Sequence, residues 1–402
     1  MKRIEFSPPD IRPEDVASVV RVLESGWITT GSVGLEFETS LQADSGAGGA
    51  ALTNSATAAL ELALRLSGIG SGDEVIVPAY TYTATAAVVA HVGARIVMVD
   101  SQPSNPIPDI ESIIKCVTPR TAGIITVDLG GVPYDIPALR SALEDVSIPS
   151  GRDGLCARLG RPVIISDSAH SIGAKRQEGA VGSLADFTAF SFHAVKNITT
   201  AEGGALLWTD EMSSLDWDMD FSQYVRTLSL HGQTKDAFSK LRAGAWEYDI
   251  IVPGYKSNMP DVLAALGLSQ YRRLAEILKK RNEIMNLYEE NLEPLGFKFL
   301  NHHVDGGRST DHLAISFLPK RLRERRNELI DQLAQHGIAT NVHYKPLPYL
   351  TAYSKMGFDI RNYPNADALY RREITFPLHT RLKHSDIEFI SELVAIIIGE
   401  MH

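Results

Sequence analysis

Glu74-Val-Ile-Val-Pro78, Thr83-Ala-Thr-Ala-Ala-Val-Val-Ala-His-Val92 and Arg95-Ile-Val-Met-Val-Asp100 decide the fold class. The outer two runs are short, unbroken and rich in branched apolar residues, the pattern of strands buried on both faces, and the middle run has helical length. The alternation continues on either side. Ala56 to Leu66 reads as a helix, Asp109 to Cys116 as another, and Ala122-Gly-Ile-Ile-Thr-Val127 and Pro162-Val-Ile-Ile-Ser-Asp167 as further strands. Apolar strands alternating with helices predict an α/β protein with a parallel sheet covered on both faces.

Further out the pattern changes. Val16, Val19, Val20 and Leu23 recur at helical spacing after Pro13 and stop at Gly26, giving a first helix and then the loop Gly26-Trp-Ile-Thr-Thr-Gly31. Phe187 to Phe192 and Gly204 to Trp208 read as a strand pair bracketing a polar segment. Between Pro137 and Arg161, the stretch Ser141 to Gly154 reads from its Gly, Pro and Ser content as a loop-bearing insertion. One long helical pattern runs from Asp261 to about Leu292. Strands are expected at Phe297 to Leu300 and Leu313 to Leu318, and amphipathic helices at Arg321 to His336 and Ser385 to Ile398. The expected division is a large domain over 1–255 and a smaller α+β domain over 256–402.

The 402 residues carry 39 Lys and Arg against 49 Asp and Glu, a net charge of −10. An acidic surface argues against a broad electrostatic grip on nucleic acid or an anionic membrane, so any anionic ligand must be held locally. Two cysteines, Cys116 and Cys156, make no disulfide framework and no metal spacing. No apolar run approaches the ~18 residues of a membrane helix, and the start lacks the apolar stretch of an export signal. A cytoplasmic protein without a metal is expected.

Three segments at strand ends carry chemistry, since ligands of open α/β sheets bind beyond the carboxyl ends of strands, where helix N-termini also point. Thr53-Asn-Ser-Ala-Thr-Ala-Ala59 offers backbone N–H groups and the Thr57 hydroxyl, as a metal-free phosphate needs; a plain helix cap would look the same. Ile164-Ile-Ser-Asp-Ser-Ala-His170 delivers Asp167 at the end of an apolar strand. A protonated ring nitrogen would justify that carboxylate, and a capping aspartate with a packed histidine would also fit. In the third segment, Ala189 to Gly204, Lys196 sits between apolar strands, where desolvation would make its amine nucleophilic; a surface lysine in a hairpin is the alternative. Together, a phosphate cradle, a pyridinium acid and a Schiff-base lysine are the parts needed for pyridoxal phosphate.

Ser191-Phe-His-Ala-Val-Lys-Asn-Ile-Thr-Thr-Ala-Glu-Gly-Gly204 resembles the lysine signature of the DegT/StrS family of pyridoxal-phosphate sugar aminotransferases. Val22 to Gly31, Asn54-Ser-Ala-Thr57, Pro78-Ala-Tyr-Thr-Tyr82, Asp167-Ser-Ala-His170, Gly254-Tyr-Lys-Ser-Asn258 and His343-Tyr344 match its blocks in order over roughly residues 7 to 400. The Gly-Trp-Ile-Thr-Thr-Gly loop and the Gly-Tyr-Lys-x-Asn block are similar to those of the UDP-4-amino-4-deoxy-L-arabinose aminotransferases within it. Two departures stand out: Lys256-Ser-Asn258 replaces the Asn-x-Arg of many members, and Asp128 stands where others have His or Asn.

The resemblance implies an aspartate-aminotransferase-like (fold type I) enzyme with a mostly parallel seven-stranded sheet and a smaller α+β domain. Lys196 would carry the cofactor covalently, Asp167 would hold its pyridine nitrogen protonated, and Tyr82 would stack on its ring. Ala56, Thr57 and Ser191 would hold its phosphate, with Asn258 reaching the same phosphate from the partner of a homodimer with shared sites. His170 would sit near the ring hydroxyl. Trp27, Thr29, Thr30 and His343 are candidates for sugar or nucleotide contact, or loop packing. The activity implied passes an amino group from an amino acid, glutamate by resemblance, through pyridoxamine phosphate to C4 of a UDP-4-keto sugar in polysaccharide biosynthesis. A cyclitol or other keto-sugar acceptor in antibiotic biosynthesis, and a non-enzymatic regulatory role on the same fold, are the alternatives.

Overall fold

Seven strands make the main sheet: β1 (Gly49–Thr53), β2 (Glu74–Pro78), β3 (Arg95–Val99), β4 (Thr121–Val127), β5 (Val163–Asp167), β6 (Phe187–Ser191) and β7 (Gly204–Trp208). The computed structural model describes residues 3–144, 146, 154–234 and 247–401. The strand order is β1-β7-β6-β5-β4-β2-β3, with β7 antiparallel to both its neighbours and the other pairs parallel. The sheet is therefore mostly parallel, as expected. Because β7 alone is reversed, its first residue, Gly204, lies beside the last residues of β1 and β6, Thr53 and Ser191. One edge of the sheet thus gathers the ends of six strands and the start of the seventh.

Every residue of β1, β2, β4, β5, β6 and β7 is buried, because helices cover both faces. One of them, Ala56–Leu66, is capped by Ser55, whose Oγ accepts from Ala58 N–H at 3.1 Å. Its Ala59, Leu60, Ala63 and Leu64 are fully buried against the sheet. A second core lies around the antiparallel strands β8 (Lys298–Phe299), β9 (Ala314–Phe317) and β10 (Glu373–Phe376), closed by the helices Leu274–Leu292, Arg326–Gln335 and His384–Glu400.

The single helix expected over Asp261 to Leu292 is two helices, Asp261–Tyr271 and Leu274–Leu292. The break is held by charge: Arg273 donates to Asp10 O at 2.6 Å and to the fully buried Asp15 carboxylate at 3.0 Å. Apolar periodicity continues through the break and does not register it. Helix Ser32–Ser45 and strands β1 and β10 were not anticipated either. The Pro137 to Arg161 stretch contains most of helix Ile136–Leu143 and all of helix Leu155–Leu159; within it, residues 145 and 147–153 lie outside the described residues. No helix among the described residues is long and apolar enough to cross a membrane.

Candidate active site

The ends of β1, β2, β5 and β6 open into a cavity of about 630 Å³. Ala56, Thr57, Tyr82, Asp167, His170 and Ser191 line it together with Lys196. Asn341 to Tyr344 close it from the C-terminal part of the chain, tied to β10 by paired Asn341 and Thr375 backbone bonds of 3.1 and 2.8 Å.

The cradle end is built by the first turn of helix Ala56–Leu66. Ser55 satisfies the third N–H of the helix, so those of Ala56 and Thr57 face the cavity with no protein acceptor among the described residues. Gly204 lets β7 start against this turn: a Cβ there would lie 2.5 Å from Ala56 N and 2.5 Å from Ser55 C. Two free N–H groups at a helix start, with the Ser191 hydroxyl opposite, form a donor set that fits a phosphate.

At the other end, Asp167 terminates β5 and is 6% exposed. Its Oδ2 accepts from Thr85 Oγ1 at 2.7 Å and its Oδ1 from Ala169 N–H at 3.3 Å. Desolvation raises its pKa, against the pull of Thr85 and the Lys196 charge. A cationic ring N–H is the partner that would restore the carboxylate. Burial pushes the Lys196 amine down to about 8, although the nearby Asp167 charge opposes the shift. A substantial fraction of Lys196 is therefore free amine at mildly alkaline pH, the form that adds to carbonyl carbon. Phosphate donors, pyridinium acid and lysine share one cavity, so the residues present fit pyridoxal phosphate.

His170 is oriented from behind. Its Nδ1 accepts from Gly130 N–H at 3.2 Å, so the proton sits on Nε2, which donates to Tyr344 Oη at 3.2 Å. Its ring centroid lies 4.5 Å from that of His312, with the two planes tilted by 38°, and burial holds both rings neutral by lowering their pKa values well below the usual histidine value. Tyr82 is 59% exposed, offering a ring face at the cavity mouth.

His343 is the one weaker substrate candidate that lines this cavity. Trp27, Thr29 and Thr30 belong to a loop packed on the start of helix Asp261–Tyr271: Trp27 Nε1 donates to Thr30 O at 3.1 Å, Asp261 N to Thr29 O at 3.1 Å, and Thr30 Oγ1 to Met259 O at 2.8 Å. Asn258 bridges to Thr53 and donates to Thr30 Oγ1 at 2.5 Å, outside the cavity that holds Lys196 of its own chain. Asp128, the departure at the end of β4, does not line the cavity. It accepts from Ser168 at 2.7 Å, Ser171 at 2.6 Å and Tyr134 N–H at 2.8 Å, and burial raises it to about 6. Thr85 and Gly130 were not singled out from the sequence, Tyr344 was read only as part of a family block without a role of its own, and Glu373 and Thr375 behind His343 were not singled out either. For the last two the available signal was a pair of polar residues at alternate positions of an apolar strand.

Fold and cavity together define a pyridoxal-phosphate enzyme. Residues 9–395 match the DegT/DnrJ/EryC1/StrS aminotransferase family, and the chain belongs to that family. It is a pyridoxal-phosphate-dependent sugar aminotransferase. The spore coat polysaccharide biosynthesis protein SpsC of Bacillus subtilis is 34% identical over 98% of this chain and 97% of its own. A UDP-4-amino-4-deoxy-L-arabinose–oxoglutarate aminotransferase of Shewanella sediminis is 33% identical over 98% and 99%. Among solved structures, a putative sugar aminotransferase of Streptococcus pneumoniae in its PMP form superposes with a TM-score of 0.93 at 43% identity, covering 99% of this chain and 100% of that one. Its PLP form gives 0.92 at 42%, covering all of both chains.

Proposed function

We propose that the acceptor is a nucleotide-linked keto-sugar, aminated at C4 of a UDP-4-keto sugar, with glutamate as donor. The observation that carries this reading is the cavity lining. Lys196 is the one lysine or arginine among the described lining residues, and the remaining polar groups there are mostly hydroxyls, imidazoles and an amide. Such walls offer many partners to the hydroxyls of a sugar ring. The 33% identity to the Shewanella aminotransferase, whose name contains both the UDP-sugar and oxoglutarate, supports the same acceptor and donor.

Bound in the cavity, pyridoxal phosphate supplies an electron sink for the carbon beside the reacting nitrogen. The chain's residues do the rest. Ala56 and Thr57 N–H with the Ser191 hydroxyl anchor the phosphate, and Asp167, fixed by Thr85, keeps the ring nitrogen protonated. Tyr82 would cover one ring face, and His170, whose Nε2–H is held by Tyr344 Oη, would sit near the ring hydroxyl. Lys196, a free amine once displaced, takes the proton from the substrate carbon and returns it within the same site. On this reading the enzyme is a cytoplasmic homodimer in which Asn258 of one protomer serves the phosphate of its partner, and the chain divides near 255 into a large and a small domain.

An acceptor panel tests the proposal. Turnover with a UDP-4-keto sugar and glutamate, against little with a cyclitol ketone or a 2-keto acid, is the expected result. Preference for the cyclitol ketone would overturn the nucleotide-sugar assignment while leaving the aminotransferase chemistry in place.

A further inference from the structure

Behind the cavity wall, β10 carries Glu373 and Thr375 at alternate positions, both 0% exposed. Thr375 Oγ1 lies 2.5 Å from Glu373 Oε1 and 2.9 Å from His343 Nδ1. The other carboxyl oxygen of Glu373 accepts from the His343 backbone N–H at 3.0 Å. With Nδ1 engaged, Nε2 is the nitrogen His343 has left for a ligand in the cavity it lines.

A threonine hydroxyl has one proton, so the bonds of this chain must all run the same way. With Glu373 ionised, Thr375 donates to it, His343 Nδ1–H donates to Thr375, and Nε2 is an acceptor. With Glu373 protonated the direction reverses: the carboxyl donates to Thr375, Thr375 donates to Nδ1, and Nε2 carries the proton.

We propose that Glu373, Thr375 and His343 form a proton relay, with His343 Nε2 as its cavity end and the buried Glu373 carboxyl as its store. Its use in turnover rests on the aminotransferase reading. As a C–N bond forms at the acceptor carbon and the C–O bond breaks, the departing oxygen takes one proton from His343 Nε2. Nδ1 then takes the Thr375 proton, and Thr375 takes that of Glu373. The incoming nitrogen gives up two protons; one completes the water and the other returns along the relay to Glu373. The imidazole stays neutral at both ends of the transfer.

Neutrality matters because burial and the Lys196 charge push His343 down to about 3, so an imidazolium is costly there. Burial raises Glu373 to about 8, opposed by Thr375, the His343 N–H and Arg326. Both states are then populated near neutral pH. The charged and titratable groups around the carboxyl are Arg326, which donates to Glu373 O at 2.8 Å, the His343 ring, and Tyr80 and Tyr344, both kept protonated by burial.

The test reads the His343 tautomer by ¹⁵N NMR of the cofactor-loaded, ¹⁵N-histidine-labelled protein, with assignment from His343→Asn. The expected result is an Nε2–H tautomer that gives way to Nδ1–H as pH rises through about 8. Thr375→Ser should keep the switch and Thr375→Val should lose it. Glu373→Gln, whose amide donates permanently to Thr375, should hold Nε2–H at every pH. One tautomer throughout in the wild type, or a switch that survives in both Glu373→Gln and Thr375→Val, would overturn the relay. No acceptor is needed for this readout, so its failure leaves the aminotransferase reading standing, and a failed acceptor assay leaves the relay standing. In turnover, Glu373→Gln should lower kcat by roughly 10²-fold with KM little changed.

Discussion

Replacing Gly204 by alanine probes the phosphate cradle without touching any group that bonds the cofactor. The new Cβ would lie 2.5 Å from Ala56 N, 2.5 Å from Ser55 C and 2.7 Å from Phe190 O, where ordinary contact begins at 3.4 Å. All three are backbone atoms, so no side chain can swing away. The helix start or β7 must move by about 0.9 Å, and overpacking of this kind costs about 1–3 kcal/mol. The atoms displaced first are the donors themselves. Losing one charge-assisted bond to the phosphate removes about 1.5–3 kcal/mol, a weakening of cofactor affinity by roughly 10- to 10²-fold. Urea melts of the cofactor-free protein and fluorescence titration with pyridoxal phosphate measure the two effects separately. Gly399→Ala, in the helix His384–Glu400 with open space around its Cβ, is the control and should be neutral or slightly stabilising. Wild-type stability together with wild-type cofactor affinity in Gly204→Ala would refute the cradle.

Three further outcomes are expected. Asp167→Asn removes the buried partner of the ring nitrogen, a loss of about 3–5 kcal/mol, and kcat should fall about 10²- to 10⁴-fold with cofactor still bound. In the cofactor-free protein the Lys196 ammonium deprotonates near 8 rather than at the ordinary 10.5, so cyanate labelling of Lys196, followed by peptide mass spectrometry, should rise through that lower pH. A midpoint near the ordinary value would contradict the desolvated site. Asp186, fully buried, accepts from Arg161 at 2.6 and 2.7 Å and from Ile164 N–H at 2.8 Å. Asp186→Ala removes the close carboxylate partner of the buried Arg161, leaving it Glu211 at 3.7 Å, and should lower stability by about 3–5 kcal/mol in thermal or urea melts.

What could be read from the chain alone follows from how each feature is encoded. Strands such as Val163–Asp167 announce themselves because burial on both faces demands an unbroken apolar run. Asp167 and Lys196 were legible because a lone charge at the end of such a run needs a partner. β1, Gly-Ala-Ala-Leu-Thr, has only its last residue, Thr53, branched at Cβ; its glycine is dictated by Trp208, whose ring would meet a Gly49 Cβ at 2.2 Å, a contact local pattern cannot reveal. The Arg272–Arg273 break depends on Asp10 and Asp15, more than 250 residues away. The same holds for the relay: Glu373 and Thr375 gain meaning only when folding sets His343 against them, some 30 residues from either.

The most direct measurement of the central claim follows the nitrogen. Protein loaded with pyridoxal phosphate is incubated with ¹⁵N-glutamate and a UDP-4-keto sugar, and the sugar nucleotide is analysed by mass spectrometry. The account predicts ¹⁵N in the sugar with the wild type and none with Lys196→Ala, which should also lose the visible absorption of the lysine-bound cofactor. Label transfer undiminished in Lys196→Ala, or a wild type that binds the cofactor yet passes no label to the sugar nucleotide, would contradict it.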